Sequence, residues 1–259
     1  ILKNYCLQQG LVFISTPFDF ESVDLLEQLD LSFYKISSGD ITNLPFLEYI
    51  AKKNKPIILS TGMSNLGEIE AAVETILGTG NQDLILLHCT SNYPTAFDDV
   101  NLRAMLTLKE AFKVPVGYSD HTVGIEVPIA AVTLGARVIE KHFTLDKNMA
   151  GPDHRASLEP DELKIMVEKI RNVEKAMGDG IKRCARSEEK NKFVSRKSIV
   201  AGRDIKQGEE ITWEMVQFKR PGHGLAPGEI KLVLGKRVKN SLKKDDLITC
   251  KDLELWNEK

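Results

Sequence analysis

Cysteine is scarce and scattered. The 259 residues hold four, Cys6, Cys89, Cys184 and Cys250, with no CxxC pair among them. That spacing argues against a disulfide frame and against a structural zinc knot, and it points to reduced thiols in a cytoplasmic protein. Long apolar runs are missing too: none is long enough to cross a bilayer. A dominant charge is also absent. The net charge of −2 creates no strong field to attract nucleic acid or an anionic membrane. The charge is uneven, however. From Ser195 onward there are 14 Lys and Arg against 10 Asp and Glu, and the residues before carry 21 against 27, which supports a domain boundary. Ile1 stands where a start methionine would be. The opening ILKNYCLQQG reads as the last turns of a helix stopped by Gly10, so the chain is expected to begin inside a repeating unit.

What is present is a recurring apolar run with a polar tip. It occurs six times: Leu11–Thr16, Phe33–Ser38, Pro56–Thr61, Leu84–Thr90, Val114–His121 and Arg137–Phe143. Each run is short with an apolar body, as expected of a parallel strand buried on both faces. Successive starts lie 22 to 30 residues apart, room for one strand and one helix. Helical patterns fill the gaps at Phe20–Leu29, Pro45–Lys53, Leu102–Phe112, Ile125–Leu134 and Pro160–Met177, and Asn65 with Glu68 makes a capping-box start for another. The fold class expected is α/β, a TIM-type (β/α)8 barrel lacking its first two strands. The barrel is assigned to residues 1–187 and a charged linker to 188–194. A small β-rich module, broken by Gly, Pro and Asp, takes 195–259.

Polar groups collected at the C-terminal ends of barrel strands form an active site. Thr16, Lys35, Ser38, Ser60, Ser91, Asn92 and Ser119 all fall at or just after such ends, and one lysine among hydroxyls suits a phosphate or carboxylate. Any single hydroxyl there also serves to cap the next helix. Lys35 is more telling, because a lysine inside FYKISS must leave a buried strand toward something polar. His121 in YSDHT and His142 in IEKHFT end two successive strands, and two imidazoles brought together in this way can hold a divalent metal. Asp120 and Glu140 lie beside them, placed to orient a ring or to bind substrate. His88 reads as structural, and His154 sits on a loop within reach of the mouth. His223 belongs to the second domain.

Longer motifs carry a resemblance. STPFD, KISSGDITNLPFLEYI, ILSTGMSNLGEIE, LLHCTSNYPT, GYSDHTVGIEV, GARVIEKHFTLDKNMAGPDHRASLEPDEL and KRPGHGLAPGEI run in order along nearly the whole chain. Together they resemble the N-acetylneuraminate (sialic acid) synthase family. ISSGDITNLP and SDHTVGIEVPIAA also resemble its N,N'-diacetyllegionaminate branch, and the ending resembles the small antifreeze-like SAF domain of these enzymes.

The resemblance implies a condensation of phosphoenolpyruvate with an open-chain N-acetylated hexosamine, N-acetylmannosamine or 2,4-diacetamido-2,4,6-trideoxymannose. The product is a nine-carbon 2-keto acid, and phosphate is released. It implies Mn2+ or Mg2+ on His121 and His142, polarising the aldehyde. Thr16, Lys35, Ser38, Ser60 and Ser119 match positions that hold phosphoenolpyruvate, with Ser91 and Asn92 beside them. Tyr93 and Asp153 match positions near the sugar. Arg220, in KRPG, matches an arginine that reaches the pocket of a second subunit, which implies a domain-swapped homodimer. Lys35, Glu140 and Asp120 form the expected catalytic set.

Two other readings compete. A truncated remnant would bind a ligand or partner without catalysis. Another phosphoenolpyruvate-using metal barrel, making a seven- or eight-carbon keto-acid phosphate, would lack the KRPG-bearing tail. A parallel barrel short of two strands exposes apolar edges. The 259 residues expressed alone are therefore expected to aggregate or to lack synthase activity, and phosphate release by a monodisperse preparation is the check.

Overall fold

The computed structural model describes residues 1–254, so the last five residues assigned above to the C-terminal module lie outside the described residues. The chain divides into two compact units, Ile1–Gly180 and Ile181–Lys259.

In the first unit five strands, β1 (Tyr34–Ile36), β2 (Ile57–Ser60), β3 (Leu84–Cys89), β4 (Val116–Asp120) and β5 (Ile139–Lys141), lie side by side in chain order. Every pairing is parallel. Helices α1 (Leu2–Gln8), α2 (Phe20–Gln28), α3 (Leu44–Ala51), α4 (Leu66–Gly78), α5 (Ala104–Phe112), α6 (Glu126–Thr133) and α7 (Pro160–Met177) accompany them. Strand, helix, strand in one parallel order is the arc of a (β/α) barrel. The expected capping box is present at α4: Glu68 N–H donates to Asn65 Oδ1 (3.1 Å) and Asn65 N–H to Glu68 Oε2 (2.8 Å).

Side chains alternate across a strand. Tyr34, Ile36, Ile57, Leu59, Leu84, Leu86 and Tyr118 therefore point one way, into a core completed by Val23, Phe46, Ile50, Ala72, Ile76 and Leu108 of the helices. Each fully buried Ile or Leu there contributes about 1.5–3 kcal/mol. The opposite face carries Lys35, Ile58, Ser60, Leu87, Cys89, Ser119 and Glu140, which leaves the polar groups of the strand ends together on the inner side of the arc.

One expected strand did not form. Leu11–Thr16 is irregular, with Leu11 60% and Val12 64% exposed. A strand is held by its ladder, and among the described residues this segment pairs with no neighbour, so apolar β-branched composition alone does not order it. Thr16 is accordingly not presented from a strand end.

The second unit is built around β6 (Ser198–Ala201) antiparallel to β7 (Val216–Lys219). Isolated bridges such as Ile205 with Leu242 and Val238 with Leu253 close it over a core of Ile199, Ile205, Ile211, Val233, Val238 and Ile248. Residues 188–194, expected as a linker, fall in this unit, and α8 (Glu189–Ser195) covers most of them. No helix among the described residues is long and apolar enough to cross a membrane.

Gly117 on β4 marks a close approach of two neighbouring strands. A Cβ there would lie 2.4 Å from the Val138 carbonyl oxygen and 2.6 Å from Leu87 Cδ2. Gly117→Ala should cost about 1–3 kcal/mol through overpacking, read as a lower melting temperature. An unchanged melting temperature would mean the strands are looser than this contact requires.

Candidate active site

The β4 and β5 pairing sets Ser119 opposite Glu140 and Asp120 opposite Lys141. Alternation then divides the two strand ends between two faces. On the helix side, Lys141 Nζ lies 2.6 Å from Asp120 Oδ2, with both side chains almost wholly buried. Thr122 donates its N–H (3.1 Å) and Oγ1–H (2.9 Å) to Asp120 Oδ1, and Lys141 also donates to the Thr122 carbonyl. Asp120, expected in the catalytic set, thus faces away from the inner side, with its carboxylate committed to Lys141 and Thr122. The residue before each histidine is a clamp, and a buried carboxylate requires such partners.

The inner side gathers the remaining groups. A cavity of about 370 Å³ is lined by Lys35, Ser38, Ser60, Ser91, Tyr93, Ser119, His121, Glu140 and His142 from the expected set. Ser37, Gly39, Met63 and Cys89 also line it and were not anticipated. Cys89 and Met63 had a legible signal, since one shares the inward parity of its strand and the other follows the strand-end STG. Lys35 is 7% exposed, its Nζ 3.4 Å from Glu140 Oε2 and 3.1 Å from the Ile36 carbonyl. Ser119 Oγ donates to Glu140 Oε1 at 2.6 Å. Ser60 is 3% exposed and its Oγ has no hydrogen-bond partner among the described residues. A buried hydroxyl left unpaired costs about 1–3 kcal/mol, and a ligand oxygen in this cavity would satisfy it.

The histidines meet as the register requires. Their ring centroids are 5.3 Å apart and nearly perpendicular, and Tyr93 packs 4.3 Å from the His121 ring and 5.4 Å from that of His142. His121 Nδ1 lies 2.8 Å from the Thr90 carbonyl. A carbonyl only accepts, so Nδ1 carries the proton and the Nε2 lone pair is left available. Burial is the main cause holding the His121 pKa below its ordinary value, with the neighbouring His142 adding to it. The ring is therefore neutral at neutral pH, as a metal ligand must be. His142 Nδ1 stands 3.9 Å from Asp153 Oδ2.

Two imidazoles facing each other in one cavity are a donor set whose chemistry suits a divalent ion. No cluster of three or more His, Cys, Asp or Glu side chains suited to a metal occurs among the described residues. The same burial that depresses His121 raises the Tyr93 hydroxyl, which stays protonated as a donor.

Other expected residues lie elsewhere. Asn92 is exposed and does not line the cavity. Nor does Thr16, on its irregular segment. His154 Nδ1 pairs with Thr144 Oγ1 at 2.7 Å. His88 points to the helix side and contacts the Val100 carbonyl at 2.8 Å, in keeping with its structural reading. Arg220 belongs to the second unit, where its Nε donates to the Ser195 carbonyl, and His223 stacks there on Phe193.

Residues 1–182 match the NeuB family and residues 196–254 the SAF domain. An N,N'-diacetyllegionaminic acid synthase of Campylobacter jejuni is 57% identical over 241 residues, 92% of this chain and 72% of that protein. An enzyme of the same description from Legionella pneumophila is 46% identical over 93% of this chain and 69% of its own length. Among solved structures, a putative spore coat polysaccharide biosynthesis protein E from Chromobacterium violaceum superposes with a TM-score of 0.77 at 30% identity. That match covers 98% of this chain and 77% of that one.

The clamp behind the histidines is open to test. Lys141→Met alone strands a buried carboxylate and should cost about 3–5 kcal/mol. Asp120→Asn with Lys141→Met should cost clearly less, because no charge is left uncompensated. Denaturant unfolding of the three proteins decides it, and equal losses in single and double variants would show that the pair's charge is not what holds the strand ends.

Proposed function

This chain belongs to the NeuB family, and from that premise we propose that it condenses phosphoenolpyruvate with 2,4-diacetamido-2,4,6-trideoxymannose to the nine-carbon keto acid N,N'-diacetyllegionaminate, releasing phosphate. The observation that carries the reading is the convergence in one cavity of a buried lysine, an unpaired buried hydroxyl and two facing imidazoles. Phosphoenolpyruvate is a small, highly charged anion. Lys35 supplies the cation for it, and Ser38, Ser60 and Ser119 supply donors in a site with little water, where charge-assisted bonds are strongest. The choice of sugar rests on the two legionaminic acid synthases at 57% and 46% identity.

In this reading C3 of phosphoenolpyruvate attacks the sugar aldehyde and a carbon–carbon bond forms. Water adds to C2 and phosphate departs with the C2–O bond broken. Glu140, held by Ser119 and close to Lys35, takes the proton of that water. Tyr93 and Asp153, at the rim near the histidines, face the sugar. His121 and His142 would hold the metal, which supplies Lewis-acid polarisation of the aldehyde oxygen when bound. Imidazole donors favour Mn2+ over Mg2+. Arg220 keeps its proposed role of reaching the sugar of a second copy in a domain-swapped homodimer, supported by its place in KRPG.

Phosphate release from phosphoenolpyruvate should be faster with the diacetamido sugar than with N-acetylmannosamine, and preference for the latter would overturn the choice of sugar. Lys35→Met should weaken phosphoenolpyruvate binding by about tenfold or more with little change in melting temperature. Unchanged affinity by calorimetry would remove Lys35 from the anion site.

A further inference from the structure

Three elements meet at the floor of the cavity through one serine oxygen. Ser38 Oγ, after β1, accepts the Gly62 N–H at 2.9 Å from the turn after β2. It also lies 3.2 Å from Cys89 Sγ at the end of β3. Cys89 is buried, on the inward face of its strand opposite Ser119. The approach depends on Gly62 lacking a side chain. A Cβ there would stand 2.3 Å from Ser91 Oγ and 2.9 Å from both Cys89 Sγ and Ser38 Oγ.

A hydroxyl has one proton and two lone pairs. The Gly62 N–H uses one lone pair. The thiol then has two choices: accept the serine's proton, or donate its own to the second lone pair. Sulfur is a weak acceptor, whereas an O–H given to an anion makes a bond about twice as strong as a neutral one. With an anion in the cavity beside Lys35 and the unpaired Ser60 hydroxyl, the second arrangement wins. Both lone pairs are then filled, and the only direction left for the serine proton is the ligand.

We propose that Cys89 is a positioning residue for the anion subsite: its S–H donates to Ser38 Oγ and so commits the serine's own proton to the phosphate or carboxylate of the bound anion. The proposal rests on the reading of Ser38 as a phosphoenolpyruvate contact. It assigns Cys89 no contact with the reacting atoms and no thiol chemistry.

The test is a set of variants of the intact protein, measured by phosphoenolpyruvate calorimetry and steady-state kinetics. Ser38→Ala should weaken binding by about tenfold. Cys89→Ala should raise the KM for phosphoenolpyruvate roughly three- to tenfold, while kcat and the KM for the sugar stay close to the parent's. Cys89→Ser keeps a donor at that point and should restore most of the loss. The double variant Ser38→Ala, Cys89→Ala should bind no worse than Ser38→Ala alone, because both remove one interaction. Gly62→Ala, whose Cβ pushes on all three groups, should show the same selective loss and gives a second route if Cys89→Ala does not fold. Normal phosphoenolpyruvate affinity in Cys89→Ala or Gly62→Ala, with Ser38→Ala impaired, overturns the proposal and leaves the reading of Ser38 standing. Full affinity in Ser38→Ala overturns that reading and this proposal with it.

Discussion

The pairing of Asp120 with Lys141 is the constraint on which the site depends. The two residues face each other across β4 and β5, buried on the helix side at 2.6 Å. A slip of β5 by one residue against β4 would turn Lys141 to the inner face and His142 into the helix layer, and would leave Asp120 buried without its partner. The penalty for an unpartnered buried charge is several kcal/mol, so the ion pair selects the register. The same register brings His121 and His142 together and sets Glu140 beside Ser119. The chemistry-bearing residues on one face are thus placed by a charge pair on the other.

Within the cavity the electrostatic design is one of partial satisfaction. Lys35 has a carboxylate 3.4 Å away and a carbonyl at 3.1 Å, a loose pairing that leaves it free to be shared with an incoming anion. Ser60 Oγ has no hydrogen-bond partner among the described residues, and the His121 Nε2 lone pair is available. Buried polar groups in a folded chain are normally paired. An orphan hydroxyl, an underused cation and two facing imidazoles in one space suit a ligand that is polar and negative.

Much of this was legible beforehand, for reasons that can be named. A histidine at the tip of each of two successive apolar runs, in SDH and IEKH, predicts two imidazoles at neighbouring strand ends, and the capping pair Asn65 and Glu68 predicts the start of α4. Both depend only on local periodicity. Lys35 was legible because a lysine in an apolar strand has few tolerable outlets. The failures also have a common cause. Adjacency in sequence groups Asp120 with His121, yet adjacent residues in a strand point to opposite faces. The run before Thr16 resembles the others and so suggests a strand end, but pairing is a property of neighbours. The contact of Ser38, Gly62 and Cys89 joins the ends of three strands, and no spacing in the sequence announces it.

What the sequence by itself determined is the local grammar: where apolar runs alternate with amphipathic helices, which residues tip each strand, where helices begin, and which family's motifs these are. Side-chain period and capping chemistry operate over a few residues, so they can be read without a fold. Only the tertiary structure decided which tips share a cavity, that Asp120 is a clamp, that Leu11–Thr16 stays irregular, and that Cys89 touches Ser38. Those outcomes depend on register and on close approach between segments far apart in the chain. Such contacts exist only once the strands have paired and the core has closed.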